Sequence, residues 1–145
     1  DKLVLKVPHF GYWGVVENTA IVPIVSDNKL LALDLVTAQP IKEIPLIGSP
    51  VFAAVSPDKK NLIVNYSGDK ENFVSVVDLK KIEKIKDLEV GKRDMHLRYS
   101  QKSDAVYVTT YFDNSLRIID ANNWSVLNEV KVATPSGIFL DSLKE

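Results

Sequence analysis

The two histidines are the side chains of this 145-residue chain that could take part in the most kinds of chemistry. His9 lies in the run 7–13 and His96 lies in the run 91–97, each near the start of a predicted strand. An imidazole can ligate a metal, transfer a proton or donate a hydrogen bond to an oxyanion. Thiolate nucleophiles and cysteine-ligated metal sites are excluded, because the chain contains no cysteine.

Two basic residues precede His96 in the same predicted loop, at Lys92 and Arg93. A guanidinium group pairs with a carboxylate through two parallel hydrogen bonds, so Arg93 is a candidate for binding an anionic group of a ligand. Ordinary surface charge is the alternative interpretation. The sequence contains no P-loop, no glycine-rich dinucleotide motif and no histidine pair typical of a zinc protease, so no metal site is predicted.

The elements that must position these residues follow a repeat. Asp34, Asp78 and Asp120 each end a short apolar run, and they are 44 and 42 residues apart (78 − 34 and 120 − 78). A period of about 40–45 residues with four short strands is typical of a β-propeller blade, as in WD40-like repeats. We expect each aspartate to accept hydrogen bonds from the turn that follows it.

The predicted fold is therefore all-β, a propeller of about three four-stranded antiparallel blades. The blades are predicted at about 9–48, 49–92 and 93–134, and a fourth begins at 135–145. Predicted strands are 13–16, 20–25, 30–35 and 41–47, then 51–56, 61–67, 73–79 and 85–90, then 95–99, 106–111, 116–119 and 126–132. The apolar second and third strands suit burial between blades, whereas the alternating fourth strands suit an outer edge.

Three blades cannot close a ring, and open faces of this kind aggregate unless they are covered. Three resolutions remain open: the chain is the C-terminal piece of a longer propeller, copies of it associate, or it pairs with another polypeptide. The chain begins with Asp1 rather than Met, so we expect a processed, trimmed or truncated product.

The composition indicates neither nucleic acid nor a membrane as a partner. The formal net charge is −1, and the lysines alternate with acidic residues, as in the run 80–84. A nucleic-acid surface normally carries a basic patch. No apolar run approaches the roughly 18 residues of a membrane span.

Several blocks resemble the haem d1 propellers, a family that includes the d1 domain of cytochrome cd1 nitrite reductase and the NirF-like proteins of haem d1 maturation. The resemblance is strongest to the C-terminal portion of the NirF-like members. It rests on blocks that occur in the same order across nearly the whole chain: Val7-Pro8-His9, Pro50-Val51-Phe52, Met95-His96 and Pro135-Ser136-Gly137-Ile138-Phe139.

The resemblance implies an eight-bladed propeller in the full-length family, a periplasmic setting, and haem d1 or a precursor bound on one face. It implies that His9 and His96 face the tetrapyrrole as catalytic and cofactor-binding residues, and Arg93 is the candidate partner of a ligand carboxylate. Whether the chain is an enzyme stays open between an oxidoreductase, a maturation enzyme and neither. Because the earlier blades and any C-x-x-C-H motif are missing, we expect other blades or chains to complete the site.

Two further functions remain possible. The first is a non-enzymatic propeller module that mediates protein interaction or self-assembly through its exposed strand faces. The second is an enzyme of another propeller class, such as a lactonase with a metal in the channel, for which Asn65, Asp94 and Asn114 are the available ligands.

Overall fold

The computed structural model describes residues 13–139, so His9 and the block around it lie outside the described residues. Twelve strands in this part of the chain form three four-stranded antiparallel sheets. The first sheet contains β1 (Gly14–Val16), β2 (Thr19–Ile24), β3 (Lys29–Asp34) and β4 (Pro40–Pro45). The second contains β5 (Ser49–Val55), β6 (Asn61–Ser67), β7 (Phe73–Asp78) and β8 (Glu83–Glu89). The third contains β9 (Asp94–Tyr99), β10 (Ala105–Thr110), β11 (Ser115–Asp120) and β12 (Val126–Lys131).

Each sheet is a meander in which consecutive strands pair, as expected of a propeller blade. The three sheets form an arc rather than a closed ring, so the predicted all-β, incomplete propeller is confirmed. Two short 3₁₀ turns, Val25–Asp27 and Gly68–Lys70, follow the second strands of the first two sheets. The run 135–139, predicted to begin a further blade, forms no strand, and the rest of that prediction lies outside the described residues.

The second and third sheets repeat each other with a shift of 44 residues through their first two strands. Ala53 pairs with Val64 in the second sheet, and Leu97 pairs with Val108 in the third. Both inner strands also contain a bulge at the same place, where the register shifts between Pro50 and Ala53 and between Thr109 and Thr110. An equivalent bulge re-aims equivalent side chains, so the two inner strands present matched positions.

Two apolar cores lie between the sheets. The core between the first two sheets includes Leu30, Leu62 and Val77, and the core between the second and third includes Ile63, Val76 and Val106. Strands β6 and β7 are buried along nearly their whole length, because the second sheet is covered on both faces. Burial on both faces explains why these two strands read as continuous apolar runs.

The third sheet keeps one face uncovered among the described residues. Ile44, Leu88 and Val130 occupy equivalent positions in β4, β8 and β12, at intervals of 44 and 42 residues. Ile44 is 1% exposed and Leu88 packs on a core, whereas Val130 is 42% exposed. All six residues of β12 are exposed. In the first two sheets this apolar residue is packed against a core. In the third sheet the equivalent residue, Val130, has no neighbouring sheet to cover it among the described residues.

The recurring aspartates brace turns, as predicted. Oδ1 of Asp34 accepts the backbone N–H groups of Val36 and Thr37 at 2.7 and 2.9 Å. Asp120 makes the same contacts with the second and third residues after it, at 2.7 and 3.0 Å. Asp78 accepts the N–H of Lys81 at 2.9 Å. Their repetition reflects turn geometry.

The loops gather at two ends of the arc. The loops 90–93 and 111–114 lie at the end where β9 begins, which we call the His96 end. The three aspartates lie at the opposite end, where each third strand finishes. Within residues 13–139, no helix has the length and apolar character that crossing a membrane requires.

Candidate functional site

His96 is the third residue of β9 and lies close to the His96 end of the innermost strand of the third sheet. Its side chain is half-buried. The imidazole ring meets the ring of Phe52 edge to face, with centroids 5.8 Å apart. Phe52 holds the same register position in the second sheet, so two matched inner-strand positions form one contact between blades.

The imidazole is fixed by a backbone donor from the last described segment. The N–H of Ile138 donates to Nδ1 of His96 at 2.8 Å. In a neutral imidazole with Nδ1 as acceptor, the hydrogen lies on Nε2. No described residue accepts a hydrogen bond from Nε2, so this nitrogen is available to donate to a ligand and carries no free lone pair for a metal.

Burial lowers the pKa of His96, and the positive charge of Arg98 on the same strand lowers it further. Both effects oppose the charged imidazolium, since one removes water and the other adds a like charge. The neutral, Nε2–H form is therefore favoured at neutral pH. In this form the ring is a hydrogen-bond donor, and it can accept a proton only at Nδ1 after the Ile138 contact is released.

Asn65 joins the two inner strands below this ring pair. Its Oδ1 accepts the N–H of Phe52 at 2.9 Å, and its Nδ2 lies 3.5 Å from the carbonyl oxygen of Asp94. Asn65 is 2% exposed, so both contacts are screened from water. We call the residues Phe52, Asn65, Asp94 and His96 the interblade clasp.

Asp94 brings a carboxyl group into this buried setting. The residue is 4% exposed, and neither carboxyl oxygen has a hydrogen-bond partner among the described residues. Burial raises the pKa of Asp94 to about 8, and the nearby Asn65 amide and His96 backbone N–H, neither of which makes a hydrogen bond to the carboxyl group, offset only part of that effect. A carboxyl group that cannot be solvated stays protonated at neutral pH.

The loop between β8 and β9 has a backbone that few residues tolerate. Gly91 has a φ of 121°, and a Cβ atom there would lie 2.5 Å from Oδ2 of Asp113. That same oxygen accepts the N–H of Lys92 at 2.8 Å. Arg93 follows with a positive φ of 59°, and its carbonyl accepts the N–H of Tyr111 at 3.0 Å. The loop is thus held in one shape by the neighbouring turn of the third sheet.

This loop places the Arg93 guanidinium over the ring of Phe112, 5.5 Å from its centroid. The Nε atom lies 3.3 Å from Sδ of Met95, so the terminal nitrogens remain to bind an anion. Arg93 and Phe112 line a cavity of about 860 Å³ between the second and third sheets. The cavity also contains the side chains of Asp69, Glu71, Lys92 and Arg117. It therefore offers both signs of charge beside an exposed aromatic ring.

His96 and Arg93, both predicted from sequence, lie on the same loop and strand at the His96 end. The structure does not bring them into contact, because Arg93 faces the cavity and His96 faces Phe52 and Ile138. Asn114, considered for a metal in the channel, instead accepts the N–H of Thr134 at 2.9 Å and braces a turn. Among the described residues, no three His, Asp or Glu side chains are close enough together to hold a metal ion.

Sequence reasoning missed the interblade clasp. Asn65 was interpreted as a strand-end or packing residue or a metal ligand, Asp94 as a metal ligand, and Phe52 as part of a family block. A signal was present, since Pro50 and Phe52 become Asp94 and His96 after a shift of 44 residues. Two polar residues at positions that are apolar in the neighbouring blade mark a place where the chain departs from its own repeat.

A comparison with protein families identifies residues 2–143 as a cytochrome D1 heme domain. The NirF protein of Stutzerimonas stutzeri is 29% identical over 139 residues, which cover 96% of this chain and 36% of that protein. The chain thus spans about a third of the length of this relative.

Two solved structures share the fold. The dihydro-heme d1 dehydrogenase NirN, solved in complex with DHE, has a TM-score of 0.72 and 19% identity, over 88% of this chain and 27% of that one. Hydrazine synthase of Kuenenia stuttgartiensis has a TM-score of 0.73 and 22% identity, over 82% of this chain and 34% of that one. The family match covers nearly the whole sequence and agrees with the blocks noted in the sequence, so the chain belongs to the cytochrome D1 heme domain family of haem d1-type propellers.

Proposed function

We propose that this chain forms part of a propeller that binds haem d1 or a precursor at the His96 end. The observation that carries the proposal is the placement of His96, whose Nδ1 is held by Ile138 and whose Nε2–H is left to donate. The family match over residues 2–143 supports the class of ligand. When bound, such a tetrapyrrole supplies the redox chemistry, and the protein supplies binding, orientation and electrostatics.

The side chains at the His96 end suit a flat ligand with several carboxylates. Phe52 and Phe112 offer apolar ring surface, and Lys92 and Arg93 offer basic side chains. Arg93 has its terminal nitrogens unoccupied by the contacts described above. We assign Arg93 to a ligand carboxylate, and His96 to hydrogen-bond donation through Nε2. His9 lies outside the described residues and stays a sequence-based candidate for the same face.

Further blades are needed to enclose such a ligand. The third sheet leaves Leu116, Ile118 and Val130 without the cover that their counterparts in the first two sheets receive. The same repeat that covers Ile44 therefore predicts a further four-stranded sheet on this face, from missing blades, a second copy or a partner chain. Catalysis, as an oxidoreductase or in haem d1 maturation, and a periplasmic location are parts of this proposal that rest on the family alone.

The proposal is tested by visible-absorption titration with haem d1, using haemin as a surrogate. We expect saturable binding with a shifted absorption band, weakened about 3- to 10-fold by His96→Ala, because one hydrogen bond is worth about 0.5–1.5 kcal/mol. Asp104→Asn at the opposite end is the matched control. No binding by the chain or by any assembled ring, or equal binding by the wild type and the His96→Ala and His9→Ala variants, would contradict the proposal.

A second function is a non-enzymatic module for protein interaction or self-assembly. The observation that favours it is the exposed apolar surface of the outer strands, where Val126 and Leu127 of β12 are 56% and 58% exposed. Large exposed apolar patches mark interaction sites. The molar mass in solution distinguishes the two, since this function requires a complex even without tetrapyrrole. A strict monomer that captures no partner would exclude it.

A further inference from the structure

Asp94 is a buried acid that the proposed function leaves without a role. Its carboxyl oxygens have no hydrogen-bond partner among the described residues, although the residue is 4% exposed. Buried polar atoms without partners are uncommon and each calls for a physical reason. Asp94 also departs from the repeat, since the equivalent residue of the second sheet is Pro50, whose side chain cannot ionise.

Asp94 and His96 stand on either side of a β-bulge. Thr109 pairs with His96 and Thr110 pairs with Asp94, which leaves Met95 as the extra residue on β9. A bulge bends its strand and re-aims the side chains beside it. The direction of the His96 ring therefore depends on how the backbone at Asp94 is held.

Two contacts hold that backbone. The N–H of Asp94 donates to the carbonyl of Glu71 at 2.7 Å, and its carbonyl faces Nδ2 of Asn65 at 3.5 Å. Asn65 in turn accepts the N–H of Phe52, whose ring touches that of His96. The interblade clasp thus connects the Asp94 backbone to the His96 ring through two neutral hydrogen bonds and one ring contact.

We propose that Asp94 is a positioning residue for His96: as a neutral carboxylic acid it leaves the interblade clasp intact, and when it loses its proton the clasp rearranges and the His96 ring moves. The reason is the competition for Asn65. A buried carboxylate requires hydrogen-bond donors, and the Asn65 amide and the His96 backbone N–H lie near the Asp94 carboxyl group without bonding it in the structure. Turning the Asn65 amide toward the carboxylate removes the acceptor of the Phe52 N–H.

No charged side chain is shown to donate a hydrogen bond to the Asp94 carboxyl group among the described residues, so Asn65 is the side-chain donor available to it. Glu71 contacts Asp94 through its backbone carbonyl, and its side chain lines the cavity. On β9 itself, Arg93 faces the cavity and Arg98 acts on His96. The residues opposite Asp94 and His96 on β10 are Thr110 and Thr109, which do not titrate in this range. The raised pKa of Asp94, about 8, comes from burial, which places the transition at mildly alkaline pH.

The test follows the His96 imidazole by NMR as pH is raised, in the protein without ligand. His9→Gln identifies which of the two histidine signals belongs to His96. We expect two steps in the His96 chemical shift: its own titration below the ordinary histidine range, and a second near pH 8. In Asp94→Asn, which has the shape of the neutral acid, the second step disappears and the first remains. Asp104→Asn, an exposed acid in the same sheet, keeps both.

A single step in wild-type His96 would overturn the inference without any variant, as would an alkaline step that persists in Asp94→Asn. The positioning of His96 by Asp94 does not depend on the proposed function. Its role in presenting His96 to a tetrapyrrole rests on that function. Haemin binding at pH 7 and pH 9 separates the two. Binding that weakens at pH 9 in the wild type but not in Asp94→Asn supports both. Without haemin binding, the NMR steps still decide the role of Asp94.

Discussion

Phe52 and His96 occupy the same position in neighbouring sheets, 44 residues apart, and their rings meet edge to face at 5.8 Å. Through this contact, the two equivalent inner-strand residues of neighbouring blades form one continuous surface at the His96 end. It also takes part of the His96 ring out of water, which is the main cause of its lowered pKa.

Removing the Phe52 ring is therefore expected to raise the pKa of His96. Phe52→Ala returns water to the imidazole, and we expect a loss of about 1–2 kcal/mol in the free energy of unfolding, because Phe52 is only partly buried. NMR titration of His96 and urea denaturation measure the two effects. Phe112→Ala is the control, since Phe112 is 57% exposed and contacts Tyr111 edge to face and Arg93 through its ring face. A pKa of His96 that stays unchanged in Phe52→Ala would contradict the assigned cause.

The positive charge of Arg98 is the second cause of the lowered pKa of His96. In Arg98→Gln the like charge is removed, so the pKa of His96 rises toward the ordinary value of 6.5. The lowered pKa also has a consequence for stability. The folded state binds the proton more weakly than the unfolded state, so the contribution of His96 is present above pH 6.5 and is lost as pH falls through the folded-state pKa. The acid-side loss of stability is thus expected to be smaller in Arg98→Gln, and an equal loss would count against it.

For Asp94, the dependence of stability on pH has the opposite sign to that of His96. Its raised pKa means that the folded state holds a proton that the unfolded state releases, so the free energy of unfolding falls as pH rises from about 4 to about 8. Asp94→Asn removes that dependence, and it is expected to be more stable than the wild type by a margin that grows up to pH 8. Urea denaturation at pH 5, 7 and 8.5 measures the margin. A constant or shrinking margin would show that Asp94 is solvated in the folded protein.

Gly91 is expected to control the placement of Arg93. An Ala at position 91 must adopt a φ of 121° and brings its Cβ against Asp113, so Gly91→Ala should cost about 1–3 kcal/mol or displace the loop. Gly68→Ala is a matched control on the same cavity, because its φ is also positive, at 70°, but no atom lies within 4 Å of the added Cβ. Denaturation and haemin affinity should both change more in Gly91→Ala. Equal effects would show that the loop does not depend on the close approach to Asp113.

The uncovered face of the third sheet predicts association. Leu116→Asp and Ile118→Asp place charge on the face that a further sheet would cover, so we expect them to abolish any self-association or binding of missing blades. Light scattering after size-exclusion chromatography measures the molar mass. Ile85→Asp on β8, where Ile85 is already 50% exposed, should leave it unchanged. Association that survives both changes on β11 would place the interface elsewhere.

The sequence predicted the propeller because turn residues and apolar runs repeat locally, and Asp34, Asp78 and Asp120 fix their register. It predicted His96 and Arg93 as members of one loop and strand. It could not predict that Arg93 lies over Phe112 or that Ile138 holds Nδ1 of His96, because these residues, 19 and 42 positions apart, meet only when the third sheet has formed. The burial of Asp94 was likewise hidden, since a charged residue in a predicted loop is normally solvated.

The central claim is that a tetrapyrrole lies at the His96 end. The most direct measurement is an amide NMR spectrum with and without a diamagnetic gallium tetrapyrrole, whose ring current shifts the signals of residues next to it. We expect the largest shifts at Phe52, Arg93, His96 and Ile138. Little change is expected at the opposite end, where the N–H of Asp58 donates to Oγ of Ser103. Shifts centred on Asp58 and Ser103, or no shifts at saturating ligand, would contradict binding at the His96 end.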